Sequence, residues 1–148
     1  MSDVIQGLAR ARTTSRGKTI LIVENDSAHG ALLMEAITLE TPHHALLAID
    51  SIRALEVIEH IKPDLFLLDY YISPLHALDL YDLLHARTGC ENIPGIILSA
   101  STPQLAPEIV ARHLIGLSKP VELEELLSSI ERALQHPLGP CETGEAGN

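Results

Sequence analysis

Short unbroken apolar runs alternate along this chain with longer stretches in which apolar residues return every third or fourth position. Apolar runs of this length bounded by polar residues suit strands buried on both faces, and the periodic stretches suit helices laid over them. Taken in order, the pattern predicts β1 at 19–24, α1 at 27–40, β2 at 44–49, α2 at 51–61 and β3 at 64–69. It continues with α3 at about 75–87, β4 at 94–99, α4 at about 105–113, β5 at 115–118 and α5 at 121–135. Regular alternation of strand and helix specifies an α/β fold, with helices on both faces of a parallel sheet.

The helices differ in how clearly they are marked. In α5, Leu123, Leu126, Leu127, Ile130 and Leu134 form one apolar stripe, leaving Glu124, Glu125, Glu131 and Arg132 outside, and Pro137 lies just beyond its end. Asp50 or Ser51 can cap α2, whose apolar face is expected to be Ile52, Leu55, Ile58 and Ile61 before Pro63 blocks continuation. The α1 signal is weaker because Gly30 lies in its opening turns; Asp26 or Ser27 can cap it, and Leu32, Leu33, Ala36 and Ile37 supply a stripe. Pro107 is compatible only with the first turn of α4, which predicts a short helix.

A chain of 148 residues is most simply one domain with its own core. Residues 1–17, with Arg10, Arg12 and Arg16 among small polar residues, read as a flexible arm, and 136–148 as a flexible tail rich in helix breakers. The net charge of −10 argues against a nucleic-acid surface, which needs clustered Lys and Arg. Cys90 and Cys141 have no metal or redox spacing, and no run has the roughly 20 apolar residues of a membrane span. A soluble cytoplasmic protein, without nucleic-acid or membrane partners, is therefore expected.

The candidate chemistry lies at the ends of the apolar runs. Glu24 and Asn25 follow β1, Asp69 ends β3, Ser99 ends β4, and Lys119 with Pro120 follows β5. In a parallel sheet all of these meet at the carboxyl edge, where open α/β sheets bind their ligands. Acid, hydroxyl and ammonium together suggest phosphoryl chemistry.

Four pieces in sequence, Ile20-Leu21-Ile22-Val23-Glu24-Asn25-Asp26, Pro63-Asp64-Leu65 leading to Leu68-Asp69-Tyr70-Tyr71, Leu98-Ser99-Ala100 and Ser118-Lys119-Pro120, resemble a response-regulator receiver domain across residues 18–135. The resemblance implies a flavodoxin-like, doubly wound, three-layer α/β/α fold with a five-stranded parallel sheet of order 2-1-3-4-5. It also implies a stand-alone signalling module, not an enzyme, in which Asp69 accepts a phosphoryl group from a histidine kinase or phosphotransfer protein in a two-component phosphorelay. Output then passes by protein–protein contact to an unknown target, and a homodimer through α4, β5 and α5 stays open. The family's Mg²⁺ positions correspond to Asn25, Asp69 and the backbone carbonyl of Tyr71, with Glu24 holding the ion through water. Ser99 and Lys119 fall where a hydroxyl and an ammonium bond the phosphoryl oxygens, and the family's Lys–Pro bond is cis. The physical requirement agrees: a carboxylate attacks phosphorus only when its charge and that of the phosphoryl are offset, as a hard divalent cation on oxygen ligands does.

Several positions depart from the family pattern. Asn25 replaces an aspartate, so one ligand brings no charge and Mg²⁺ is expected to bind weakly. Gly116 stands where many receivers carry a Tyr or Phe that couples to the hydroxyl residue, which moves expected output to the loop around Ser101, Thr102 and Pro103. His76 and Ala77 replace an acid and a glycine, predicting a differently shaped loop after β3. The eight histidines show no zinc-type spacing, and His29 reads as a helix-face residue near the site. The alternative function is a pseudo-receiver docking module with little or no phosphorylation. An aspartyl-nucleophile phosphohydrolase fits poorly, because Tyr71 occupies the place of its second aspartate.

Overall fold

A computed structural model describes residues 17–87, 89–100 and 102–135. Its elements are β1 Thr19–Val23, α1 Ser27–Glu40, β2 His44–Ala48, α2 Ser51–Val57, β3 Leu65–Asp69, α3 Ala77–His85, β4 Gly95–Ser99, α4 Thr102–Ala111, β5 Ile115–Ser118 and α5 Leu123–Gln135. The strands form one parallel sheet of order β2-β1-β3-β4-β5, the flavodoxin-like arrangement expected from the sequence. The expected arm and tail lie outside the described residues, apart from Gly17.

Because successive strand residues face opposite sides, the apolar runs feed two separate cores. Leu21, Val23, Phe66, Leu68 and Ile97 face a cluster under α2, α3 and α4 that includes Leu80, Tyr81, Leu84 and Ile109. Ile20, Ile22, Leu65, Leu67, Ile96 and Leu98 face the other side, against Leu33 and Ile37 of α1 and Leu126 and Ile130 of α5. Every residue of β1, β3 and β4 is buried, which accounts for runs without polar interruption.

The helix faces differ in detail from their sequence reading. Leu32 is exposed on α1, leaving Leu33 and Ile37 to do the packing; Ile52 and Ile61 are exposed beside α2, whose buried residues are Ser51 and Ala54. Helix α2 ends at Val57 and tightens into a turn in which the Glu59 and His60 amides donate three residues back, to Glu56 and Val57. Gly30 does not weaken α1 idly: a Cβ there would come within 2.9 Å of Leu47 in β2, so its absence lets the helix approach the edge strand. Helix α4 begins three residues earlier than expected and contains Pro107 beyond its first turn. Proline has no N–H to return to the Pro103 carbonyl, but its fixed φ is helical and the missing bond lies close to the helix start.

Candidate functional site

Strand register brings Glu24, Asp69, Ser99 and Lys119 to one edge of the sheet. Val23 pairs with Leu68, so Glu24 and Asp69 leave neighbouring strands side by side. Asp69 pairs with Leu98, and Ser99 with Ser118, which sets Ser99 and Lys119 one step further along the same edge. Asp69 is only 4 % exposed, Glu24 2 % and Ser99 0 %. Two carboxylates and a hydroxyl are thus withdrawn from water at the centre of an otherwise apolar sheet, a placement with a large desolvation cost unless charge and hydrogen bonds offset it.

The offset is visible. Lys119 forms an ion pair with Asp69 Oδ1, crossing from the end of β5 over β4 to β3. The Lys119–Pro120 peptide is cis, as the resemblance implied. Glu24 is held at both oxygens: Oε2 accepts the Asp26 amide at 3.1 Å and Oε1 accepts Nδ1 of His29 at 2.7 Å. Asp26 in turn caps α1, its Oδ1 accepting the amides of Ala28 and His29 at 3.0 and 3.1 Å. His29, read from the sequence as a helix-face residue near the site, thus contacts the predicted site residue Glu24 directly. Its only sequence signal is position, five residues after Glu24 and three after the capping aspartate.

The loop after β3 is fixed from several sides. The Tyr70 amide donates to Leu98 O at 2.8 Å, the Ala77 amide to Tyr70 O at 3.1 Å, and the Leu75 amide to the buried Ser51 hydroxyl at 3.1 Å. The ring of Tyr70 stacks on His76 with centroids 5.3 Å apart, and Tyr71 meets Tyr70 edge-on at 4.9 Å. His76, a departure from the pattern that the resemblance implies, thus has a structural correlate, a ring stacked on Tyr70, the residue after Asp69.

Gly116 shows why no aromatic side chain stands on β5. A Cβ there would lie 2.8 Å from the Thr102 methyl and 2.9 Å from Ile109 Cδ1, so α4 occupies the space a ring would need. Thr102 Oγ1 donates to Ser99 O at 3.0 Å, and the Lys119 amide donates to the same carbonyl at 3.0 Å. The end of β4, the start of α4 and the end of β5 share that one acceptor.

The metal positions that the resemblance implies carry oxygen donors, the type hard divalent cations take. Asp69 and Glu24 provide carboxylate oxygens, Asn25 an exposed amide and Tyr71 a backbone carbonyl, an all-oxygen set with two charges. Among the described residues no three His, Cys, Asp or Glu converge as a metal cage. A cavity of about 420 Å³ opens at the amino end of β1 and β2, lined by Thr19, His44 and Ile61 among others, on the opposite edge from Asp69.

No family model matches the sequence, and no curated protein is similar to it. Solved structures are. The Francisella response regulator 1452 receiver domain superposes with a TM-score of 0.73 at 20 % identity, over 81 % of this chain and 98 % of that one. The fold is that of a receiver domain. The receiver domain of sensor histidine kinase PA1611 from Pseudomonas aeruginosa, described with a magnesium ion coordinated in its active-site cleft, gives 0.72 at 22 % identity over 80 % and 98 % of the two chains. Chemotaxis response regulator CheY4 of Vibrio cholerae gives 0.73 at 18 % identity over 80 % and 99 %. No described helix is long and apolar enough to cross a membrane.

Proposed function

We propose that this protein is a phosphoacceptor receiver of a two-component relay, with Asp69 as the acceptor. The observation that carries the reading is the buried Asp69 carboxylate at a central strand end, ion-paired to Lys119 from two strands away. The donor is the phosphohistidine of a histidine kinase or phosphotransfer protein. An Asp69 oxygen attacks phosphorus, a new P–O bond forms, the P–N bond breaks, and the imidazole leaves with its electron pair and takes up a proton. Lys119 then exchanges its carboxylate partner for a phosphoryl oxygen, as a point charge able to follow it. The Ser99 hydroxyl, on the next strand, donates to another phosphoryl oxygen.

Glu24, Asp69, Asn25 and the Tyr71 carbonyl would hold Mg²⁺, which when bound offsets the charge of carboxylate and phosphoryl. The neutral Asn25 makes that binding weak. The phosphorylated protein signals by contact with a downstream protein and does not turn over a substrate, and its setting is the cytoplasm. Net charge of −10 and two cysteines without metal spacing support this setting and the absence of a nucleic-acid partner.

Intact-mass spectrometry after incubation with a small phosphodonor and Mg²⁺ tests the reading. The native chain should gain one phosphoryl mass and Asp69→Asn none. Equal labelling of both proteins moves the acceptor elsewhere, and no labelling of either favours a docking module whose damaged metal site leaves only a surface.

A further inference from the structure

A carboxylate that must meet a cation at a fixed place benefits from being fixed itself. Glu24 has a flexible side chain, yet both of its oxygens are engaged: one by the Asp26 amide, the other by the His29 ring at 2.7 Å. A carboxylate can only accept, so Nδ1 of His29 must carry the proton and donate, whichever state the rest of the ring is in. The ring is itself held in place. Its residue is in the first turn of α1, its own amide donates to the capping Asp26 at 3.1 Å, and Glu24, Asp26 and His29 close into one ring of hydrogen bonds. Each Glu24 oxygen has a second lone pair left for an ion or its water. His29 itself is about one-third exposed, against 2 % for Glu24, so it meets the buried acid from the solvent side.

We infer that His29 is the positioning residue for Mg²⁺ at this site, holding Glu24 toward the ion through Nδ1. Hydrogen-bonded outer partners of metal ligands typically account for about 10–100-fold in metal affinity. The inference presupposes the metal-assisted acceptor site of the preceding section, and adds to it a donor that makes no contact with the ion.

The test is calorimetric titration of MgCl₂ into the native protein, His29→Leu, His29→Asn and His29→Gln. Asparagine places its Nδ2 donor where imidazole has Nδ1; glutamine places its donor further out, and leucine has none. Mg²⁺ affinity should fall about 10–100-fold in His29→Leu, stay within a few-fold of native in His29→Asn, and remain low in His29→Gln. Thermal melting of the metal-free variants separates a general loss of structure, which would not follow this donor geometry. Unchanged or tighter binding in His29→Leu overturns the inference and leaves the acceptor reading intact. Absence of Mg²⁺ binding by the native protein overturns the metal site itself, and this inference with it.

Discussion

Lys119 is the counter-charge of a carboxylate that has almost no contact with water, and that pairing decides what its removal does. Lys119→Ala leaves Asp69 buried without its cation, at a cost on the order of 1–3 kcal/mol for a buried group deprived of its partner. The variant should therefore unfold at lower urea than the native protein in metal-free buffer and recover part of the difference in millimolar Mg²⁺, while phosphoryl uptake stays impaired. Equal urea midpoints without metal would show the ion pair to be energetically silent. At this scale Asp69, Ser99, Lys119 and Glu24 were legible because each ends an apolar run, and a parallel sheet gathers run ends at one edge. His29 was not, because a contact between a strand end and the first turn of the next helix depends on rotamer and cap geometry that periodicity does not encode.

At the scale of elements, α4 is tied at both ends. Thr102 bonds the Ser99 carbonyl at its start, and just past its end Arg112 makes a two-pronged pair with Asp82 of α3 at 2.9 and 3.0 Å and a third bond to Glu108. Those acids push the guanidinium above its ordinary range, which is already fully charged at any physiological pH. Between the anchors the helix lies directly on Gly116. Gly116→Ala should overpack this contact and destabilise the protein by about 1–3 kcal/mol. Thr102→Ser removes the obstructing methyl but keeps the hydroxyl on Ser99, so adding it should recover part of the loss, read as a coupling energy in a double-mutant cycle. Strictly additive destabilisation would mean that Ile109 sets the fit. The early start of α4 escaped the sequence because Pro107 looked like a boundary; helix packing over β5 outweighs one missing hydrogen bond near the helix start.

For the whole molecule, the parallel sheet followed from alternation and the order of its strands from resemblance, and the continuous runs of β1, β3 and β4 gave the buried centre directly. Which side of each helix faces inward was harder to read, as Leu32, Ile52 and Ile61 show, since an apolar residue at the flank of a helix satisfies the same periodicity as one at its centre. The central position of the acidic site has a global effect: an ion bound there is lost when the sheet unfolds. Mg²⁺ at about ten times its dissociation constant should add about 1.4 kcal/mol to stability. For a domain of this size that is a rise of several degrees in melting temperature. The rise should shrink in Glu24→Gln; the same rise in both proteins would place the ion away from Glu24.

The stacked rings that follow Asp69 give the molecule an optical property of its own. It contains no tryptophan and three tyrosines, so its near-ultraviolet emission is tyrosine emission. Two of the three, Tyr70 and Tyr71, follow Asp69 directly in the chain, and Tyr70 lies on the His76 imidazole; the third, Tyr81, is sealed in the core against Phe66. Two of the three emitting rings therefore lie next to Asp69 in the chain, so the unlabelled protein carries its own local probe of events there.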